Sequence, residues 1–131
     1  MFIDASALTA IVSSEQEADA FLTVLEAGPD QTLTSAVAIY ESSLAIARRN
    51  GVPVSKARDL LEAFLRGYEV AVVPIDAETA RLAIDAHLRY GKGTGHPAQL
   101  NMGDCFAYAC ARAHGARLLY KGEDFARTDL A

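Results

Sequence analysis

Apolar residues along the chain alternate between short unbroken runs and stretches with a three-to-four-residue period, and the two patterns predict different elements. Met1-Phe2-Ile3 is an apolar run ending at Asp4, and it predicts an opening strand. Residues 5–12 follow as a helix. Ser14 and Glu17 have the spacing of a capping box and predict a second helix through Phe21, Leu22 and Leu25, stopped at Gly28-Pro29. The threonine-rich stretch Gln31–Thr34 predicts a second strand. Ser35 then caps a helix to Arg49, closed by Asn50-Gly51, and a further helix covers about residues 55–67 with Leu60, Leu61, Phe64 and Leu65 on one side.

Val70–Pro74 reads as the clearest buried strand, and Asp76 opens a helix carrying Ala80, Ile84 and Leu88. Residues 90–103 hold four Gly and one Pro and predict a loop. A strongly apolar helix runs from Asp104 to His114, Arg117–Tyr120 forms a long last strand, and a polar, turn-like tail ends the chain. Strands separated by helices, with no hairpin signal between them, imply parallel pairing through helical crossovers. The expected architecture is a three-layer α/β/α sandwich with a central parallel sheet, a single domain over residues 1–131. Ligands of such sheets sit at the carboxyl ends of the strands. Asp4 ends the first strand, and Asp124 follows the last.

Composition narrows the function. Hydrophobic residues make up 51% of the 131, enough for a core without disulfide or zinc staples. Cys105 and Cys110 are five apart in a predicted helix, too far for a disulfide and without a histidine pair for zinc, so both are expected reduced in the core. The opening residues lack a basic segment, and no apolar run has the roughly 18 residues of a membrane span; the expectation is a soluble, cytoplasmic protein with no membrane partner. The net charge of −5 is the wrong sign for non-specific neutralisation of nucleic-acid phosphates. Any nucleic-acid role must rest on a local basic rim, a metal or a basic partner.

Most of the 17 Asp and Glu belong on a solvated surface. Glu41 is different: it lies four after Val37 and three before Leu44, on the apolar stripe of its helix, where an unpaired charge is costly. Either a cation or cavity receives it, or it reaches past the helix edge to water or an arginine. Asp104 starts an apolar helix, where it serves as a cap or faces a ligand. Asp4 and Asp124 have cap and turn readings of their own. Together, two carboxylates at strand ends and two at helix positions facing the sheet can converge on one pocket. Their repulsion calls for a hard cation with oxygen ligands, Mg²⁺ or Mn²⁺. Such a site suits phosphodiester hydrolysis, because the ion lowers the pKa of water and stabilises the charge on phosphate and leaving oxygen.

An aspartyl-nucleophile phosphatase would need a second Asp where Ser6 stands, a receiver domain an acidic pair near the first strand's end, and a nucleotide hydrolase a phosphate loop; none is present. The segments FIDASAL, TSAVAIYES, GHPAQLNMGDCFAYACA and LLYKGEDFARTDL, in that order, resemble the four motif regions of the PIN-domain family and, within it, the VapC toxins of VapBC toxin–antitoxin pairs. Each segment alone is weakly specific; the four together, in family order and spread across almost the whole chain, are strongly specific.

The resemblance implies a PIN-like fold and a Mg²⁺- or Mn²⁺-dependent endoribonuclease. It carries catalytic and metal-binding roles onto Asp4, Glu41, Asp104 and Asp124, with Asp4 and Asp104 as direct ligands and Glu41 and Asp124 completing the shell or handling the water. Ser6, Thr128 and Asp129 match supporting or substrate-phosphate positions. It further implies a homodimer, a heterotetramer or larger assembly with a cognate VapB-type antitoxin whose arginine enters the acidic pocket, and an RNA substrate on a basic rim. Arg48, Arg49, Lys92, His96, Arg112, Lys121 and Arg127 are the rim candidates, each with a plain reading as a solvated charge. His96 fits a loop or phosphate contact better than a base, and Tyr40 fits packing better than base stacking. The alternative function is a non-catalytic PIN-like binding module.

Overall fold

A computed structural model describes residues 1–28 and 31–131. Strand β1 (Phe2–Ile3) leads into α1 (Ala5–Val12) and α2 (Ala18–Glu26), then β2 (Leu33–Ser35), α3 (Ala36–Asn50) and α4 (Val54–Gly67). After β3 (Ala71–Val73) come α5 (Ala77–Tyr90), α6 (Met102–Ala113), β4 (Leu118–Leu119) and a 3₁₀ turn at Phe125–Arg127. The strands form one parallel sheet in the order β3-β2-β1-β4. The three-layer sandwich is therefore present, with helices on both faces.

Strand alternation sorts the core into its two layers. Phe2 and Leu118 point into a cluster with α5 and α6, whereas Ile3 and Leu119 point into a cluster with α1, α3 and α4. Chain direction within the sheet reverses its spread at β1: β2 and β3 extend to one side and β4 lies on the other. That is a topological switch point, and the crevice beyond the carboxyl ends of β1 and β4 is where ligands of parallel sheets bind.

Several local expectations hold. The Ser35 hydroxyl accepts the Ala38 N–H at 3.1 Å, and Gly51 ends α3 with φ 60°, a left-handed conformation that favours glycine. Asp76 caps α5 by accepting the Thr79 N–H at 2.9 Å. Others are corrected. Residues 14–17 form a turn rather than a capping box: α2 begins after Glu17 without a side-chain cap, and Ser14 takes φ 52°. The carboxylates of Glu15 and Glu17 are instead committed to cations of distant segments. The expected helix stop at Gly28-Pro29 lies partly outside the described residues; α2 itself ends at Glu26.

β3 is an edge strand with Val72 half exposed, so its apolar run marks one covered face rather than full burial. On α5 the inward face carries Thr79, Ala83, Ala86 and Tyr90, leaving Ile84 and Leu88 in solvent. β4 has two residues, not four, because its pairing with β1 is limited by β1's own length. Both cysteines are free and buried. Among the described residues, no helix is long and apolar enough to cross a membrane.

Candidate active site

A groove of about 830 Å³ opens at the switch point, and Asp4, Glu41, Asp104 and Asp124 all line it. Each arrives by a different local device. Asp4 ends β1 and caps α1; its Oδ2 accepts the Ser6 N–H at 3.0 Å and a short hydrogen bond from the Ser6 hydroxyl. Ser6 in turn accepts the Lys121 N–H at 3.0 Å, so the loop after β4 is tied through Ser6 to the carboxylate at the end of β1.

Asp104 is not the first helical residue. Asn101 caps α6, accepting the Asp104 N–H at 2.9 Å, while Asp104 Oδ2 accepts the Asn101 N–H at 3.0 Å. This reciprocal capping box fixes the Asp104 rotamer and commits only one of its oxygens. Glu41 projects from the middle of α3 toward the start of α6. Its carboxylate occupies the space where a side chain on Gly103 would stand. Asp124 opens the 3₁₀ turn without making a cap hydrogen bond.

The electrostatics follow from that convergence. Burial raises the Asp4 pKa against the pull of the Ser6 hydrogen bonds, with Asp124 adding repulsion. Burial and then Asp4 raise that of Glu41. Burial pushes Asp104 up to about 7; the Asn101 N–H opposes the shift, and Asp4, Asp124 and Glu41 add to it. A basin that disfavours its own negative charge in this way is matched to a cation. The donor set, all carboxylate oxygen, fits Mg²⁺ or Mn²⁺ rather than zinc. The side chains do not close into a coordination sphere: among the described residues, no three of His, Cys, Asp and Glu are grouped tightly enough to hold one ion.

The metal-free protein should therefore have a characteristic pH response. Asp104 keeps its proton to about pH 7 when folded but loses it near 3.8 when unfolded. The folded state binds more protons in that window, so this contribution is full below the lower value and is lost as pH rises toward the upper one. Melting in EDTA should show Asp104→Asn gaining stability relative to the parent chain as pH increases from about 4 to about 7. A constant difference would contradict the burial and repulsion at Asp104.

Thr128 and Asp129, expected to support the site, are engaged elsewhere. The Thr128 hydroxyl donates to the Phe125 carbonyl at 2.8 Å and accepts the Leu130 N–H, closing the 3₁₀ turn. Asp129 accepts the Tyr108 hydroxyl at 2.7 Å and pairs with Arg89 and Arg112 on the α5/α6 side. Neither lines the groove. His96 Nδ1 accepts the Ala98 N–H and its ring packs edge-on against Tyr90, a loop-shaping role. Tyr40 is exposed at the groove's edge. Three contributors were not singled out from the sequence: Asn101, Gly103 and Glu15. The Asn three before Asp104 was a readable signal for the first; the others depend on contacts between distant segments.

Comparison with known proteins agrees with this geometry. The PIN domain family model matches residues 1–130. A ribonuclease VapC of Mycolicibacterium smegmatis is 42% identical over 131 residues, spanning 100% of this chain and 98% of that protein. Ribonuclease VapC42 of Mycobacterium tuberculosis is 39% identical over 130 residues, spanning 99% and 96%. Among solved structures, Mycobacterium tuberculosis VapC20, described as a Sarcin-Ricin loop cleaving toxin, superposes with a TM-score of 0.75 at 18% identity, over 95% of this chain and 92% of that one. A toxin–antitoxin complex from Klebsiella pneumoniae gives 0.69 at 21% identity, over 98% and 92%. The chain belongs to the PIN-domain family, among its VapC ribonucleases.

Proposed function

We infer that this chain is the toxin component of a type II toxin–antitoxin pair, an endoribonuclease that hydrolyses RNA phosphodiester bonds with Mg²⁺ or Mn²⁺. The observation that carries the reading is the meeting of four carboxylates, from four separate segments, in one groove at the sheet's switch point. Asp4 and Asp104 each keep one oxygen uncommitted to the hydrogen bonds that orient them, and they are the residues to hold the cation. A divalent ion bound there supplies Lewis-acid charge for the phosphate and lowers the pKa of water. Glu41, whose carboxyl burial and Asp4 make a stronger base than a free glutamate, takes the proton from the attacking water. Asp124 completes the basin from the loop after β4.

The partner is a cognate VapB-type antitoxin, and the functional form is a homodimer, joined into a heterotetramer or larger assembly when inhibited. A basic antitoxin segment complements the groove, because a guanidinium can replace a cation among carboxylates. The protein acts in the cytoplasm, where its RNA substrates are.

The rival reading, a non-catalytic PIN-like binding module, draws on the open spacing of the carboxylates. Melting of the purified chain with and without Mn²⁺ separates the two. A ligand that binds only the native state stabilises it by about 2.7 kcal/mol at a hundredfold excess over Kd. We expect a rise in Tm with Mn²⁺ and cleavage of single-stranded RNA that EDTA abolishes. No shift in Tm and no cleavage would favour the binding module.

A further inference from the structure

The groove has a second end. Beyond the carboxylates it is lined by Arg48 and Arg49 from the last turn of α3 and by Lys121 from the loop after β4. Glu15 stands among them with its side chain only 10% exposed. One of its oxygens lies 2.8 Å from Arg49 Nε and the other 2.8 Å from Lys121 Nζ; Glu17 approaches the same ammonium at 3.2 Å. The turn that delivers Glu15 includes Ser14 in the left-handed region, a conformation that costs energy for a non-glycine residue and needs surroundings to hold it.

We propose that Arg48, Arg49 and Lys121 form a phosphate subsite for the RNA strand beside the carboxylate basin, with Glu15 as the positioning residue that holds two of them. This rests on the ribonuclease reading above and extends it to how the substrate is gripped. Glu15 Oε1 lies against Arg49 Nε as an ion-pair contact without an aligned hydrogen bond, which leaves both terminal nitrogens of that guanidinium as donors. Arg48 makes no ion pair among the described residues and carries the charge that Glu15 and Glu17 leave in excess. Lys121 joins the two ends, since its N–H holds Ser6 against Asp4 while its ammonium lies in the subsite. A strand whose scissile phosphate lies at the carboxylates needs a cationic seat for a neighbouring phosphate, and this is the cationic stretch that shares the groove. In a chain of net charge −5, that placement localises attraction where bulk charge would repel.

The test is binding of a short labelled single-stranded RNA, followed by anisotropy across a salt series in EDTA and again in Ca²⁺, together with cleavage kinetics in Mn²⁺. Arg48→Gln should weaken binding about tenfold and reduce the salt slope by about 0.7, the value for one lost single-strand phosphate contact. In cleavage it should raise KM with little change in kcat. Glu15→Gln decides the positioning claim by its sign. Removing a negative charge would tighten RNA binding if only net charge mattered, whereas loss of positioning weakens it severalfold. Unchanged affinity and slope in Arg48→Gln, with cleavage in Mn²⁺ intact, would overturn the subsite and leave the nuclease reading standing. Arg48-dependent binding without cleavage by any form would do the reverse. Polyglutamate bound as tightly as the RNA, with the same Arg48 dependence, would also overturn it by assigning the cations to an acidic peptide.

Discussion

Asp104→Asn is expected to lower RNA cleavage by at least about a thousandfold while leaving the fold intact, and Asp4→Asn to do the same. The size follows from the role: a bound ion contributes several kcal/mol to stabilising charge in phosphoryl chemistry, and each 1.36 kcal/mol is about tenfold in rate. Retention of the fold follows from the local geometry. Asp104 accepts the Asn101 N–H, and Asp4 accepts the Ser6 N–H and hydroxyl, through oxygens that an asparagine amide also provides. Each substitution also removes a charge that burial and neighbouring carboxylates disfavour, so the metal-free variants should melt no lower than the parent chain. Single-turnover cleavage in Mn²⁺ and melting in EDTA measure the two halves. Activity within tenfold of the parent would remove these residues from the mechanism.

Gly103→Ala is expected to have the second-largest effect, and it acts through a residue that carries no functional group. A Cβ at this position would stand where the Glu41 carboxylate rests. The obstacle is the tip of a flexible side chain, so the backbone need not move; Glu41 swings away. Gly103 has no left-handed conformation to protect, and it lies in the first turn of α6, where alanine is an acceptable helix former. The variant should therefore be as stable as the parent, yet lose about a hundredfold in kcat, as misplacement of a reacting group by an ångström can cost. Combining it with Glu41→Gln should add little, because both changes remove the same interaction. Full activity in Gly103→Ala would mean that Glu41 is not needed where it stands.

What could be read from the sequence was whatever a local pattern encodes. Glu41 interrupts an apolar helical stripe and so declared itself as a misplaced charge, whereas Asp4, closing a short apolar run, was legible as a strand end that could equally be a cap. Ser35, Gly51 and Asp76 marked helix ends because capping is a matter of a few consecutive residues. The alternation of strands and helices carried the parallel sheet.

The misreadings occur where distant segments decide. Ser14 and Glu17 have capping-box spacing, but Lys121, more than a hundred residues away, recruits Glu17 and Glu15 together, and the turn follows the ion pairs. Ile84 and Leu88 marked the apolar period of α5, yet α5 packs through its alanines against α6, so its larger apolar residues stay outside. Val70–Pro74 has a buried strand's composition, but sheet order places β3 at the edge. Thr128 and Asp129 stood in a motif-like segment with the right residue types; the 3₁₀ turn and the Tyr108–Arg89–Arg112 network use them for structure. Gly103 had no signal of its own, since a missing side chain acquires meaning only from the Glu41 that fills its place.

Direct counting of bound Mn²⁺ by electron paramagnetic resonance, on the parent chain and on the Asp4→Asn/Asp104→Asn double variant, addresses the shared basin most directly. The parent chain should deplete the free-ion signal saturably, and the double variant should leave it at the level of buffer. Equal depletion by both, or none by the parent at concentrations that support RNA cleavage, would place the cation and the chemistry somewhere other than this groove.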